Sequence, residues 1–341
     1  MTDKTSNVSE WRKDKGGILE VPVDNLSEYY EAVEDFTHKW RKKVKDRHSK
    51  ISCRTIGIIR DLPTGFSHDV AKEIEQLTSL PWQKNSYPDY GNHGYEVVSL
   101  YSKSGDSSDI IIEDCHPKPT PELDQLPTIR SFVERYNLSL MWVRLNKFTP
   151  DACFWEHRDY SELSEKQKIR LHVPISTSTN SYMVFQDTAV HLKPDTVWLL
   201  RPDSDIHGFM NGHSVRIHLI IDIYLNNELS NQIEQVYLPE ESLTLLPEAT
   251  PEIYKKLLSL ATKLVDENRE KDAEELLLKT FFQYNQPLGF SYDLVISLYK
   301  KYSRGEKVQE WISRKYRMMQ KEELQNIKNQ WEQTNHKTRS Y

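Results

Sequence analysis

The sequence predicts a mainly β protein with helical additions: a jelly roll, or double-stranded β-helix of the cupin-like kind, followed by a C-terminal α-helical subdomain. Three observations carry this expectation. Between residues 138 and 224, eight short runs of strand character follow one another with short links and few helical signals. Eight such strands arranged in two antiparallel sheets make a jelly roll. After Pro239 the period changes, and apolar residues recur at three- and four-residue intervals, as on an amphipathic helix.

Residues 1–20 are polar and read as a disordered N-terminus. Leu26, Tyr29, Tyr30, Val33, Phe36, Trp40 and Val44 recur at helical spacing, and a basic stretch (41–50) follows. Residues 51–59 read as a strand ended by Pro63-Thr64-Gly65. Ser67 is placed to cap a helix running to Leu80, where Pro81 stops it. Residues 95–101 and 110–113 read as a pair of strands, and 123–136 as a short helix. The eight core strands are expected at 138–148, 153–159, 168–176, 181–185, 189–192, 196–200, 206–209 and 214–224. Four helices are expected near 253–264, 273–282, 292–302 and 307–333. The domains expected are therefore a main domain at 21–238, with its core at 138–225, and a helical subdomain at 239–341.

Composition narrows the functional classes. Of 341 residues, 37% are hydrophobic and 28% charged, enough for a packed core under a polar surface. No stretch approaches the roughly 18 apolar residues of a membrane span. The first twenty residues lack the apolar segment of a signal peptide, so the expected location is cytoplasmic with no membrane partner. Cys53, Cys115 and Cys153 are odd in number and far apart, which argues for reduced thiols over a disulfide framework. A net charge of -6 argues against a nucleic-acid partner. Residues 300–341 depart from this balance, with 11 Lys and Arg against 5 Asp and Glu. That segment reads as a solvated helix of mixed charge, and alternatively as a docking surface for a protein or peptide.

The chemistry is concentrated in Glu156-His157-Arg158-Asp159. In a strand, residues two apart face the same side, so His157 and Asp159 offer an imidazole and a carboxylate to one cavity. Two histidines and one carboxylate on one octahedral face are the usual holder of non-haem iron(II) in oxygenases, leaving three positions open. The third ligand has to come from a distant strand. His207 supplies it, within Asp205-Ile206-His207-Gly208-Phe209. Nine residues on, Arg216 opens the strand Arg216-Ile217-His218-Leu219-Ile220-Ile221-Asp222, and its guanidinium can grip a carboxylate with two hydrogen bonds.

Competing readings fail on particular residues. His-Arg-Asp also opens the protein-kinase catalytic loop, but the Asn required five residues later is Ser164, and the 11 glycines contain no GxG. A Rossmann or P-loop protein fails for the same lack of glycines. Zinc hydrolysis would more often show HExxH or a histidine-rich cluster. A halogenase would lack the carboxylate that Asp159 provides. A non-catalytic jelly-roll binding module remains the alternative outside enzymes, since fold does not imply function. Among the other polar and aromatic residues, His172, His213 and His218 read as packing or supporting groups, His191 as strand surface and Arg158 as a surface ion pair. Trp142, Arg144, Tyr182 and Trp198 are candidates to line a substrate pocket.

The segments Phe154-Trp155-Glu156-His157-Arg158-Asp159-Tyr160, Ile169-Arg170-Leu171-His172-Val173-Pro174-Ile175, residues 190–200 and residues 205–222 resemble the aspartyl/asparaginyl β-hydroxylase family, and within it the free L-proline hydroxylases. The resemblance covers residues 138–224, with a weaker extension back to Tyr95. It implies that His157, Asp159 and His207 bind Fe(II) and form the catalytic centre, and that Arg216 binds a carboxylate of 2-oxoglutarate. Arg170 and His172 match positions that also face the co-substrate pocket. The interval from His207 to Arg216 is one residue shorter than the family's. The resemblance further implies O2- and 2-oxoglutarate-dependent hydroxylation of an unactivated C–H, with release of succinate and CO2. Desaturation or cyclisation by the same mechanism is an alternative outcome. The implied substrate is an amino acid, free or in a peptide.

Overall fold

The computed structural model describes residues 51–319 apart from 78–79, 85–87, 93, 137, 160–166, 204 and 226–234. The expected disordered N-terminus, the amphipathic stretch at 26–44 and the last expected helix beyond residue 319 lie outside the described residues. The chain divides into two compact units, described separately below. One comprises Ile51–Phe185 and Val190–Leu243 together with Met318 and Met319; the other comprises Gln186–Ala189 and Thr244–Arg317.

Along residues 51–242 the strands and helices run β1 (Ile56–Asp61), α1 (Phe66–Gln76), β2 (Gln83–Lys84), β3 (Tyr95–Ser102), β4 (Lys118–Pro119), α2 (Pro127–Arg135), β5 (Leu140–Phe148), β6 (Cys153–His157), β7 (Lys168–Ser176), β8 (Tyr182–Val184), β9 (Thr188–Val190), β10 (Thr196–Leu200), β11 (His207–Met210) and β12 (Arg216–Tyr224). The larger sheet has the order β1-β10-β7-β12-β5-β3-β2, and the smaller sheet contains β9-β8-β11-β6. All eight expected core strands form, four in each sheet, as the jelly-roll reading requires.

Alternation on the three central strands of the larger sheet sorts the side chains. Val143 and Leu145 of β5, Leu171 and Val173 of β7, and Leu219 and Ile221 of β12 share a core with Val70 of α1 and Ile129, Phe132 and Val133 of α2. The intervening residues point the other way. There Phe148, Trp198 and Leu200 of the larger sheet join Met183, Val190 and Phe209 of the smaller one in a second core between the sheets. Both faces of the larger sheet are thus covered, so its strands read as nearly continuous apolar runs. The polar residues that interrupt those runs on the inner face are the ones that need a chemical explanation.

Several local expectations are corrected. Residues 110–113 form no strand; β3 pairs instead with β5, β2 and β4. The run 123–136 is split, with a 3-10 turn at Pro121–Gln125 and α2 starting at Pro127, because proline has no N–H to continue the first turn. Helix α1 ends at Gln76, before Leu80. Its N-terminus is not capped by Ser67. The Asp195 carboxylate accepts from the backbone N–H of Gly65 (2.9 Å) and of Ser67 (2.7 Å), while the Ser67 hydroxyl donates to the Pro174 carbonyl (2.7 Å). Burial by itself would raise the Asp195 carboxyl, but these hydrogen bonds hold it below the usual range.

The second unit is helical: strand β13 (Leu243–Leu245) leads into α3 (Pro251–Asp266), α4 (Glu270–Leu278), α5 (Thr280–Gln283), α6 (Phe290–Lys301) and α7 (Gly305–Met319). Thr250 caps α3 by accepting from Ile253 N–H, and Pro251 occupies the first turn, where its missing N–H costs nothing. Helices α3, α4 and α6 bury one face each through Leu257, Leu264, Leu276, Val295 and Leu298. At its centre Glu274 accepts from Tyr299 Oη (2.6 Å) and Trp311 Nε1 (3.2 Å). Among the described residues no helix is long and apolar enough to cross a membrane.

Candidate active site

The inner face of the larger sheet and the ends of β6 and β11 enclose a cavity of about 260 Å³, lined by the expected residues His157, Asp159, Arg170, His172, His207 and Arg216 together. Cross-strand register makes the first contact. His157, last in β6, is the direct partner of His207, first in β11, and their ring centroids are 4.6 Å apart. Asp159 lies two residues beyond the end of β6, so strand alternation does not orient it, contrary to the expectation that the strand runs to residue 159. Its backbone N–H donates to the Pro202 carbonyl (3.0 Å), which fixes the chain there.

One atom from each of His157, Asp159 and His207 lies within 4.8 Å of the others, the spacing of a metal-ligand set. Nε2 of His157 is 3.4 Å from Asp159 Oδ1, and Nε2 of His207 is 3.8 Å from Oδ2. Nδ1 of His157 faces the Trp155 carbonyl (2.7 Å) and Nδ1 of His207 the Asp205 carbonyl (3.0 Å). A carbonyl can only accept, so each Nδ1 carries the proton and each Nε2 presents a lone pair to the cavity. Burial pulls the His207 pKa down to about 3, so that imidazole is neutral at physiological pH. Burial would raise the Asp159 carboxyl, but Arg170 and the two imidazoles outweigh it and hold it well below the usual carboxylate range. Two imidazoles and one ionised carboxylate are a donor set suited to a divalent cation.

Tyr90 packs edge-on against His157 (5.1 Å between centroids). It can do so because Gly91 bridges to Phe154 of β6 at close range; a Cβ at Gly91 would lie 2.4 Å from the Cys153 carbonyl oxygen.

Behind the carboxylate runs a chain of ion pairs. Arg170 donates through Nη1 to Asp159 and through Nε to Asp222 Oδ1 (2.7 Å), and Arg144 Nη1 donates to the other Asp222 oxygen. Arg170 and Asp222 are direct neighbours across β7 and β12, and Arg144 stands two strands from Arg170 on β5. Asp222 is fully buried and Arg144 is 3% exposed.

Arg216 is at the opposite end of β12. It is 3% exposed, its Cζ is 3.8 Å from the Phe209 ring centroid, and its Nη2 is 2.7 Å from Nδ1 of His218. Among the described residues no carboxylate pairs with it, and a buried cation without an anion is costly. His172, two residues along β7 from Arg170, has both ring nitrogens buried without a hydrogen-bond partner, a feature that calls for a ligand or a water.

The imidazoles of His172 and His218 are both pushed well below the ordinary histidine pKa, first by burial and then by Arg216. In the unfolded chain each would protonate near pH 6.5. The stability they contribute is therefore present above about pH 6.5 and is lost as the pH falls. The expected slope is about 1.4 kcal/mol per pH unit for each histidine. Urea unfolding of metal-free protein at pH 7.5, 6.0 and 5.0 measures it; a flat profile would mean that the native state accepts both protons.

Other expectations fare unevenly. Trp142 and Arg144 line the cavity. Tyr182 and Trp198 do not; Trp198 is fully buried in the core between the sheets, and Tyr182 packs against His191. His191 is half-buried with Nδ1 3.1 Å from the Ser181 carbonyl, whereas His213 is exposed beside Asp151 (3.5 Å). Arg158 donates through Nη1 to the Asp203 carbonyl (3.2 Å). Sequence reasoning missed Tyr90, Tyr95, Asn146, Phe154 and residues 110–112 as cavity lining. A signal existed for Asn146, which alternates in phase with Trp142, Arg144 and Phe148 on β5. None existed for residues 110–112.

The sequence profile of the aspartyl/asparaginyl beta-hydroxylase family matches residues 67–225. Over those residues, a little under half of the chain, the protein is similar to that family. The match spans every residue of the cavity described above from Tyr90 to Ile220. Two curated relatives from Streptomyces sp., L-proline cis-3-hydroxylase 2 and L-proline cis-3-hydroxylase 1, are each 23% identical. The alignments cover 68% of this chain and 84% and 83% of theirs. Among solved structures, a 2OG-Fe(II) oxygenase family oxidoreductase from Burkholderia pseudomallei aligns with a TM-score of 0.34 at 11% identity, covering 56% of this chain and 92% of that one.

Proposed function

We propose that the protein is an Fe(II)/2-oxoglutarate-dependent hydroxylase acting on an amino acid, with His157, Asp159 and His207 as the iron ligands. The family and the two proline hydroxylase relatives support the reaction class. The observation that carries the assignment to residues is the convergence of two imidazole Nε2 atoms and one carboxylate within 4.8 Å. The donor set fits iron(II), and the cavity beside it leaves room for 2-oxoglutarate, O2 and substrate. When bound, iron and 2-oxoglutarate together activate O2, with succinate and CO2 as co-products.

The chain's own residues position the reactants. The carbonyls of Trp155 and Asp205 hold the two imidazoles in the tautomer that can bind metal. Arg170 holds the Asp159 carboxylate and keeps it ionised. Arg216 takes the distal carboxylate of 2-oxoglutarate, which supplies the anion its buried guanidinium lacks. His172, whose ring nitrogens are unpartnered, faces the same co-substrate.

Anaerobic addition of Fe(II) and 2-oxoglutarate tests the assignment. Wild type is expected to show the weak visible charge-transfer band of the chelate. Arg216→Ala should need about 10- to 100-fold more 2-oxoglutarate to reach it, the range for losing a charge-assisted pair. Absence of the band in wild type at saturating iron and 2-oxoglutarate would favour a jelly-roll binding module instead.

A further inference from the structure

Three stretches of chain meet just beyond the end of β6, and Arg158 joins them. Its backbone N–H donates to the Met318 carbonyl (2.8 Å), and its Nε to the Met319 carbonyl (3.3 Å). Its Nη1 donates to the Asp203 carbonyl (3.2 Å). The next residue, Asp159, donates its own N–H to the Pro202 carbonyl (3.0 Å). Met318 and Met319 cluster with the first unit, as Arg158 does, and each is 2% exposed.

This junction adjoins all three residues proposed to hold the metal. Arg158 stands between His157 and Asp159, and β6 ends at His157, so the strand ladder does not reach it. Arg170 fixes the carboxylate of Asp159, while the bonds from Arg158 and Asp159 to residues 318 and 202 fix the backbone beneath it. The third ligand is tied to the same place. Asp203 is two residues before Asp205, whose carbonyl faces Nδ1 of His207 (3.0 Å) and whose carboxylate accepts from the Thr55 hydroxyl (2.9 Å). A guanidinium is a rigid planar fork of five N–H donors, so it can hold carbonyls from two segments at a set spacing. Metal affinity depends on such outer supports, because they place the donors before the ion arrives.

We infer that Arg158, clasped by the carbonyls of Met318, Met319 and Asp203, is a positioning residue of the metal centre, and that residues 318–319 at the end of α7 belong to that centre's support. This rests on the reading of His157, Asp159 and His207 as iron ligands. The middle residue of His-Arg-Asp is then more than a spacer, since it carries contacts that set the other two. Residues 318 and 319, in a segment whose charge suggested a solvated face or a docking surface, are committed to the interior.

The test compares full-length wild type with Arg158→Met, Arg158→Lys and the double variant Met318→Asp/Met319→Asp. The anaerobic chelate band is titrated twice for each, with Fe(II) at saturating 2-oxoglutarate and with 2-oxoglutarate at saturating Fe(II). The melting temperature of metal-free protein is measured alongside. Arg158→Met and the double variant are expected to need about 10- to 100-fold more Fe(II), the range for losing an outer support of a metal ligand. Their requirement for 2-oxoglutarate should change far less. Arg158→Lys keeps the charge and loses the fork, so it should fall between wild type and Arg158→Met. Met318→Leu/Met319→Leu keeps the burial and the carbonyls and should bind Fe(II) as wild type does.

Wild-type Fe(II) affinity in Arg158→Met would overturn the inference. So would an equal loss for Fe(II) and 2-oxoglutarate that follows the fall in metal-free melting temperature, the pattern of a merely structural role. If the double Asp variant does not fold, the two Arg158 variants decide the matter. A wild-type band that His157→Ala abolishes shows that the underlying iron reading stands, so failure of the inference alone is distinguishable. Absence of the band in wild type would overturn both.

Discussion

His157→Ala is expected to reduce 2-oxoglutarate turnover to background and to abolish the anaerobic chelate band. The substitution removes one of the three donors that converge within 4.8 Å, leaving Asp159 and His207 as a two-donor remnant. Such a remnant holds a hydrated dication weakly, because metal affinity depends on the number and placement of the donors. His191→Ala is the matched control. That histidine is also half-buried or better on the smaller sheet's side of the fold, but its Nδ1 faces the Ser181 carbonyl and it does not line the cavity. It should keep the band. Retention of a full-strength band in His157→Ala would remove this histidine from the metal site and with it the proposed centre.

Asp222→Ala is expected to have the largest effect on stability of any single polar substitution in the first unit. The carboxylate is fully buried and serves two guanidinium groups at once, Arg144 and Arg170. Its removal leaves both cations in the interior with no anion between them. Breaking a buried pair from one side costs about 3–5 kcal/mol. For a unit of this size that corresponds to a fall in melting temperature of roughly 10 °C. The pairing has a second consequence, since Arg170 also holds Asp159. The variant should therefore bind iron more weakly as well as melt earlier. Adding Arg144→Met to Asp222→Ala removes one stranded cation and should recover part of the loss. A double-mutant cycle without coupling would show that the two side chains act independently.

The strands at 168–176 and 196–200 were legible to the residue, because both are dense in β-branched and aromatic residues and end at turn-forming or charged neighbours. The convergence of the proposed metal ligands was legible for a different reason. Histidine and aspartate two apart, a distant histidine and a later arginine form a chemical pattern that core packing does not require. Neighbouring features were hidden by sequence distance. Asp195 caps a helix through the N–H of Ser67, 128 residues earlier in the chain, so local inspection settles on Ser67. Residues 110–112 are three consecutive isoleucines and resemble a strand, but their neighbours' backbone groups are taken by the Ser99 hydroxyl and the Tyr224 hydroxyl, and no ladder forms.

The sequence by itself determined the class of fold and the residues proposed here to hold a metal and a dicarboxylate, since alternation and donor chemistry are local properties. Only the tertiary structure decided which of those residues face each other. The register of β7, β12 and β5 sets Asp222 directly opposite Arg170 and one diagonal step from Arg144, whose own partner is Ile220, and the pairing of β6 with β11 sets His157 beside His207. Register is chosen by the sum of packing on both faces of a sheet, a quantity spread over every strand at once. The charge arrangement of the cavity is therefore written across the sheet, and no single stretch of the chain contains it.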